Sequence, residues 1–563
     1  MDCQCLLVCV IILYAAYVEG ESGSRGGSRL VQTAQGPVRG RKDPLTGVFA
    51  FYDIPYAKAP IGSEKFKAPL PPPTWHEPLD AVNRGIVCPQ VAVPIDMGEI
   101  HQQEDCLVAS VFTPDIDKTD LPVVVVVHGG GFQIGFGNML LPRYYVKSHD
   151  LIVVTFNYRL GIHGFLCLGT EMAPGNAGLR DQLAVLKWVQ KNIRSFGGDP
   201  DNVTISGASA GSMFVDLLQL LPAFQGLFHK IIPESGSSLS GTTVMIDPIE
   251  TAKTFAQDLN FNKVDDVYAL EEFYTTATFE QLLSRSFMNR TDQNFGFTPC
   301  LDRDVGNGVI VPDSPLNIMK SGKYNKLPVL VGFANMEGIL YMSTFEIFRD
   351  MMNKKFSDFV PYDLQFENLD EKEKVAQHIK EFYFGEKPVD YDTMYQYIDF
   401  FSDVTFVSPT ARSMKLQLAA GNKDIYLYEY SFVDTGGTPL YLKNYTTTAG
   451  ATHCAQTFAI FDGKFINSPE EDDLSPEFKR MKKVMRQMWF NFSSSGNPVP
   501  EGSSLPRWPA MGADLSPHMS LGRSLELRGP LLPRRMRFWE DIYARHHRSP
   551  VPPSAPPPRR TEL

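Results

Sequence analysis

Cysteine and tryptophan are scarce in this chain, with 8 and 5 among 563 residues. No apolar stretch is long enough to span a bilayer comfortably, and no terminal apolar run resembles a lipid-anchor signal. Positive charge is in deficit: the net charge of −11 makes nucleic acid and anionic membrane surfaces poor partners. No internal repeat is evident. The apolar stretch Leu6 to Val18, closed by Glu19-Gly20, reads as a secretory signal over residues 1–20, although no Lys or Arg precedes it. Its removal takes away Cys3, Cys5 and Cys9 and leaves Cys88, Cys106, Cys167, Cys300 and Cys454, an odd set with at least one free thiol. Cys454, beside His453, is a candidate for a modifiable thiol, with an inert half-buried cysteine as the alternative.

The most informative segment is Gly207-Ala208-Ser209-Ala210-Gly211, entered from the apolar run Asn202 to Ser206 and followed by Met213 to Leu218. This reads as strand, sharp turn and helix with a serine at the apex, the context in which G-x-S-x-G places a strained, exposed hydroxyl. A bare match elsewhere would be a flexible loop. A serine needs a base, an orienting acid and donors for an oxyanion. The β-branched run Leu121 to Val127 reads as a strand buried on both faces and ends in His128-Gly129-Gly130-Gly131-Phe132, a turn able to crowd N–H groups around a small anion. Gly130 and Gly131 are the candidate donors, with Ala210, after the serine, as the third.

These segments, with Asp53-Ile54-Pro55-Tyr56-Ala57, Glu104-Asp105-Cys106-Leu107, Asn157-Tyr158-Arg159-Leu160-Gly161, Gly175-Asn176-Ala177-Gly178 and Phe196-Gly197-Gly198-Asp199-Pro200, resemble the type-B carboxylesterases of the cholinesterase-like superfamily, in particular secreted arthropod members. The resemblance implies an α/β-hydrolase fold, with a large mixed, mostly parallel central sheet flanked by helices and helical insertions covering the active site. It implies the order serine, acid, histidine, and so Glu337, after the buried run Leu327 to Phe333, and His453, in the loop Ala449 to His453. Ser235 matches a serine that can support the acid, with packing alone as the alternative. Cys88 pairs with Cys106 by the same resemblance. His128, His163, His546 and His547 have ordinary structural readings.

Departures from the family pattern are Ala208, where many members carry Glu, Ser212, where many carry Gly, and Ala455, where relatives often have an acid; the last leaves the orientation of His453 open. Juvenile hormone esterases commonly carry Gln at the position of Ala208, which disfavours that specialised activity. The loop between Cys88 and Cys106 has no tryptophan to bind choline, which disfavours a cholinesterase. The expected function is hydrolysis of neutral, fairly apolar carboxylic esters through an acyl-enzyme, with a slow-turnover, ester-sequestering protein as the alternative. The partner is a small-molecule ester, no cofactor or metal is called for, and oligomeric state is not legible.

One large domain is expected over residues 21–545, with Tyr341 to Gly421 as helices covering the sheet and a Pro/Arg-rich, exposed and disordered tail over residues 546–563. The last four residues, Arg560-Thr561-Glu562-Leu563, loosely resemble an ER-retention signal, so the expected location is extracellular, with the ER lumen as the alternative. Sequons at Asn289, Asn444 and Asn491 are glycosylation candidates; Asn202, at the strand leading into the serine, is expected to stay unmodified.

Overall fold

A computed structural model of the chain describes residues 27–91, 100–115, 117–285, 290–306, 308–434, 450–462 and 471–557. The leader, Asn289, Asn444 and the last four residues lie outside the described residues.

The core element is a thirteen-stranded sheet. Its strands are β1 (Ser28–Gln32), β2 (Pro37–Lys42), β3 (Phe49–Pro55), β4 (Val108–Thr113), β5 (Leu121–Val127), β6 (Ile152–Phe156), β7 (Gly198–Ala208), β8 (Lys230–Glu234), β9 (Val329–Ala334), β10 (Ile425–Tyr430), β11 (His518–Leu521) and β12 (Leu525–Arg528), with the short Leu79–Asp80 added beside β2. The spatial order is β1-β2-β3-β4-β6-β5-β7-β8-β9-β10-β11-β12. From β6 to β11 every pairing is parallel, and both flanks are antiparallel except for Leu79–Asp80, which pairs with β2 in parallel. This is the mixed, mostly parallel sheet expected of the fold.

The parallel centre explains the sequence there. Helices cover both faces of such strands, so β5 is apolar without alternation, and Val123 to Val127 are all buried. One face is packed by α1 (Ala177–Asn192) and α2 (Ala210–Leu218). The other holds α8 (Pro476–Ser495), whose Met485, Met488, Trp489 and Phe492 sit beside Tyr428 and Met519.

Between β9 and β10 the chain builds the helical cover: α3 (Phe345–Lys354), α4 (Leu369–Phe384), α5 (Met394–Ser402) and α6 (Ser408–Ala419). Its phenylalanines, Phe345, Phe348, Phe359, Phe400 and Phe401 among them, form a core of their own. The short α7 (Ala455–Ile460) follows the histidine loop, and α9 (Pro533–His546) closes against the cover through Trp539 and Ile542.

Cys88 is bonded to Cys106, as the resemblance implied, and Cys167 to Cys300. Cys454 is the free cysteine among the described residues. The segment after α9 is largely exposed, but it is tied to the body at three points. Arg548 N–H donates to Asp363 O at 2.7 Å, Val551 N–H to Ile246 O at 2.9 Å, and Pro557 O accepts from the Tyr268 hydroxyl at 2.8 Å. Proline favours extended backbone, and the extended chain runs over the surface of the body with Pro553 buried.

Candidate active site

Ser209 stands between β7 and α2 at φ 59°, ψ −126°, a conformation that costs a non-glycine residue about 1–3 kcal/mol. The surroundings hold it there. Its N–H donates to Glu234 O at 2.9 Å, and its carbonyl accepts the first helical bond from Met213 N–H at 3.0 Å. The flanking glycines are required by close approach: a Cβ on Gly207 would lie 2.4 Å from Gly211 O, and one on Gly211 would lie 2.1 Å from Val127 O.

The glycine turn after β5 is pressed against the same point. A Cβ on Gly129 would meet Ala208 O at 2.6 Å and Ser209 Cβ at 3.1 Å, and Gly130 and Gly131 adopt φ 110° and 59°. Among the described residues no acceptor takes the N–H groups of Gly130, Gly131 or Ala210. Donors without a partner among the described residues, on the turn pressed against the serine and on the residue after it, are of the kind that can receive a developing negative charge.

Glu337 begins the loop after β9 and is fully buried. Its Oε1 accepts from Ala334 N–H at 2.7 Å and from the Ser235 hydroxyl at 2.5 Å, while Oε2 is bonded to His453 Nδ1. The loop of the histidine is stitched to the loop of the acid: Ala451 N–H donates to Asn335 Oδ1 at 2.8 Å and Met336 N–H to Ala451 O at 3.1 Å. The His453 side chain is only 9% exposed, and its Nε2 is buried without a hydrogen-bond partner. With Nδ1 occupied by the carboxylate, Nε2 is the ring atom left to exchange a proton. Burial works against a charge on this ring, but neighbouring Cys454 and Glu337 outweigh it and raise the pKa above the ordinary histidine value.

Gln456 was not anticipated from the sequence. It sits in the first turn of α7 and donates from Nε2 to Ser235 Oγ at 2.6 Å. Ser235 Oγ therefore accepts from the amide and gives its own proton to Glu337. The support left open by Ala455 comes from the next residue, in neutral form; the signal was a buried-type polar residue one position further along. Glu234, beneath the site, has a pKa raised to about 8 by burial, although the Tyr428 hydroxyl bonds its Oε1 at 3.2 Å.

The other buried histidines are structural. His128 is stacked on Tyr158 at 4.3 Å, bonded to its neighbour Gly129 O at 2.8 Å, and held neutral by burial, with a pKa of about 4. His163 is buried and lowered to about 3. No group of metal-ligating side chains occurs among the described residues. Of the sequons, Asn202 donates to Ser494 O at 3.3 Å and Asn491 to Pro498 O at 3.0 Å.

The carboxylesterase family model matches residues 27–539. The chain belongs to the carboxylesterase family. This carboxylesterase is 32% identical over 483 residues to esterase FE4 of Myzus persicae, covering 81% of this chain and 82% of that protein. It is also 32% identical over 496 residues to the para-nitrobenzyl esterase of Bacillus subtilis, covering 86% and 92%. The crystal structure of juvenile hormone esterase from Manduca sexta, with OTFP covalently attached, superposes with a TM-score of 0.82 at 28% identity, covering 92% of this chain and all of that one. The α/β-hydrolase fold and the serine carboxylic ester hydrolase activity of this carboxylesterase rest on these matches. No helix among the described residues is long and apolar enough to cross a membrane.

Proposed function

We propose that this carboxylesterase hydrolyses neutral, fairly apolar esters through an acyl-enzyme on Ser209. His453 Nε2 takes the hydroxyl proton as Oγ attacks the ester carbonyl, and the N–H groups of Gly130, Gly131 and Ala210 receive the oxyanion. Collapse of the tetrahedral intermediate breaks the ester C–O bond, and His453 returns the proton to the leaving alcohol. Water, deprotonated by the same nitrogen, then attacks the acyl-enzyme, releases the acid and restores Ser209. Glu337 holds the ring by Nδ1 and stabilises its charged form. The observation that carries this reading is the pairing of a fully satisfied, buried Glu337 with a buried His453 whose Nε2 has no partner.

The apolar substrate class is supported by Phe406 against the imidazole and by Met336 packed on the histidine loop at Gly450. Secretion is supported by two disulfides, which persist in oxidising compartments. The test is a steady-state assay of purified protein on a graded series of aryl esters, with active-site titration by an organophosphate. Multiple turnovers, one label per chain on Ser209 and loss of both in Ser209→Ala are expected. Turnover in Ser209→Ala would overturn the assignment, and a single burst followed by a stall would replace hydrolysis with sequestration.

A further inference from the structure

Between α5 and α6 the helix widens into a π-helical turn, Asp403–Val407, every residue of which is buried. Such turns insert one residue into a helix and recur at functional sites. Here the insertion is anchored at two points. Asp403 receives Arg535 through Nε and Nη2, both at 2.6 Å, and the Tyr383 hydroxyl at 2.5 Å, while Trp539 Nε1 donates to the Tyr383 oxygen at 2.7 Å. Arg535 and Trp539 both come from α9. Two residues on, Thr405 O accepts from Ser240 Oγ at 2.9 Å, and Thr405 Oγ1 donates to Gln293 Oε1 at 2.6 Å. The next residue, Phe406, lies with its ring centroid 4.4 Å from that of His453, tilted by 31°.

One residue more or less in a helix rotates every later side chain by about 100° around the axis. The inserted residue and its anchors therefore decide that an aromatic ring faces the imidazole. The Glu337 bond at Nδ1 fixes one atom of the ring and leaves it free to rock about that bond. A flat ring against its face removes this freedom, excludes water from that side, and offers a π face to the imidazolium formed during the reaction.

We propose that Phe406 is a positioning residue for the hydrolysis, keeping His453 Nε2 on line with Ser209 through both proton transfers, and that Arg535 holds Phe406 in place through Asp403. This rests on the assignment of His453 as the base.

The test uses the full chain with Phe406→Leu, Phe406→Met, Phe406→Tyr and Arg535→Lys, and Ser209→Ala as the control. Leu and Met are each expected to lower kcat about tenfold with KM within about twofold, because misplacement of a catalytic group is paid in the chemical step. Tyr, which keeps the flat face, is expected to restore kcat. Arg535→Lys keeps the charge but loses the fork. It is expected to lower kcat in the same way, and its double variant with Phe406→Leu to be no slower than Phe406→Leu alone. Wild-type kcat in a folded Leu or Met variant, or additive losses in the double variant, would overturn the proposal. Turnover in Ser209→Ala would instead remove the triad on which it rests.

Discussion

At the scale of single residues, the site is a set of buried polar atoms whose hydrogen bonds converge on one carboxylate. Gln456 donates to Ser235, Ser235 to Glu337, and Glu337 accepts from His453. A hydrogen bond to a charged group contributes about 1.5–3 kcal/mol. Ser235→Ala is therefore expected to lower kcat/KM by about ten- to a hundredfold, measured on a short aryl ester; an unchanged value would make Ser235 a packing residue only. The raised pKa of His453 has a definite sign for activity. The base must be neutral, so the acid limb of the kcat/KM profile is expected above the ordinary histidine value of about 6.5. Glu337→Gln removes the nearby negative charge; the limb is expected to move down in pH while the rate falls by roughly 10³–10⁴, as in other triads that lose the orienting carboxylate. Glu234 acts on stability. Its folded pKa of about 8 lies above the unfolded value near 4.5, so the unfolded chain loses this proton first and stability falls as pH rises from about 4.5 to 8. Glu234→Gln is expected to flatten the pH dependence of the unfolding free energy over that window, by on the order of a few kcal/mol between its ends. An unaltered slope would show that Glu234 is ionised in the folded protein.

At the scale of elements, the site is made by the close approach of β5, β7 and α2. Gly211 allows α2 to begin against Val127 O, where a Cβ would stand at 2.1 Å. The obstacle is backbone, which cannot rotate away. Gly211→Ala is expected to destabilise the fold by about 1–3 kcal/mol or more, read from denaturant unfolding, with loss of organophosphate labelling. A variant that unfolds with wild type and still labels would show that the strand and helix can part. These same elements were the legible part of the sequence. Val123 to Val127, the glycine turn and the Ser209 elbow are local patterns in which each residue's neighbours dictate its conformation. Glu337 and His453 were legible only through the resemblance, because the strand and loop that carry them look like many others. What could not be read joins elements far apart in the chain. Gln456 reaches Ser235 only once the register of α7 is set, and Phe406 meets His453 only because Asp403–Val407 widens by one residue, which no periodicity announced. The Cys167–Cys300 bond spans 133 residues, and its pairing needed the fold.

At the scale of the molecule, the C-terminal segment up to Pro557 is an exposed strap pinned to the globule. Composition pointed to a solvated extension, since a chain so rich in proline cannot build a core of its own. It has no need of one here, because it borrows donors and acceptors of the body. Gln365 N–H donates to His546 O at 2.8 Å, and Arg548 and Val551 N–H groups bond Asp363 O and Ile246 O in turn. Pro553 packs over Gly169, where a Cβ would stand 2.8 Å from its Cγ. Beneath this strap lies Asp363, buried, with its pKa raised to about 6 by burial despite the help of Arg412 and the Tyr543 hydroxyl. Deleting residues 548–563 removes the Arg548 and Val551 backbone bonds, each worth about 1 kcal/mol, and opens the Asp363 site to water. Hydration relieves the buried carboxylate, so the loss should be smaller than the bonds alone imply. None of the residues bonded by the strap belongs to the Ser209, Glu337 and His453 cluster. The truncated chain is therefore expected to melt several degrees lower, while its kcat on a short aryl ester at 25 °C stays within about twofold of wild type. An unchanged Tm would show that the strap contributes nothing to stability. A collapse of kcat without a change in Tm would place the C-terminal segment in the catalytic machinery, where the geometry does not put it.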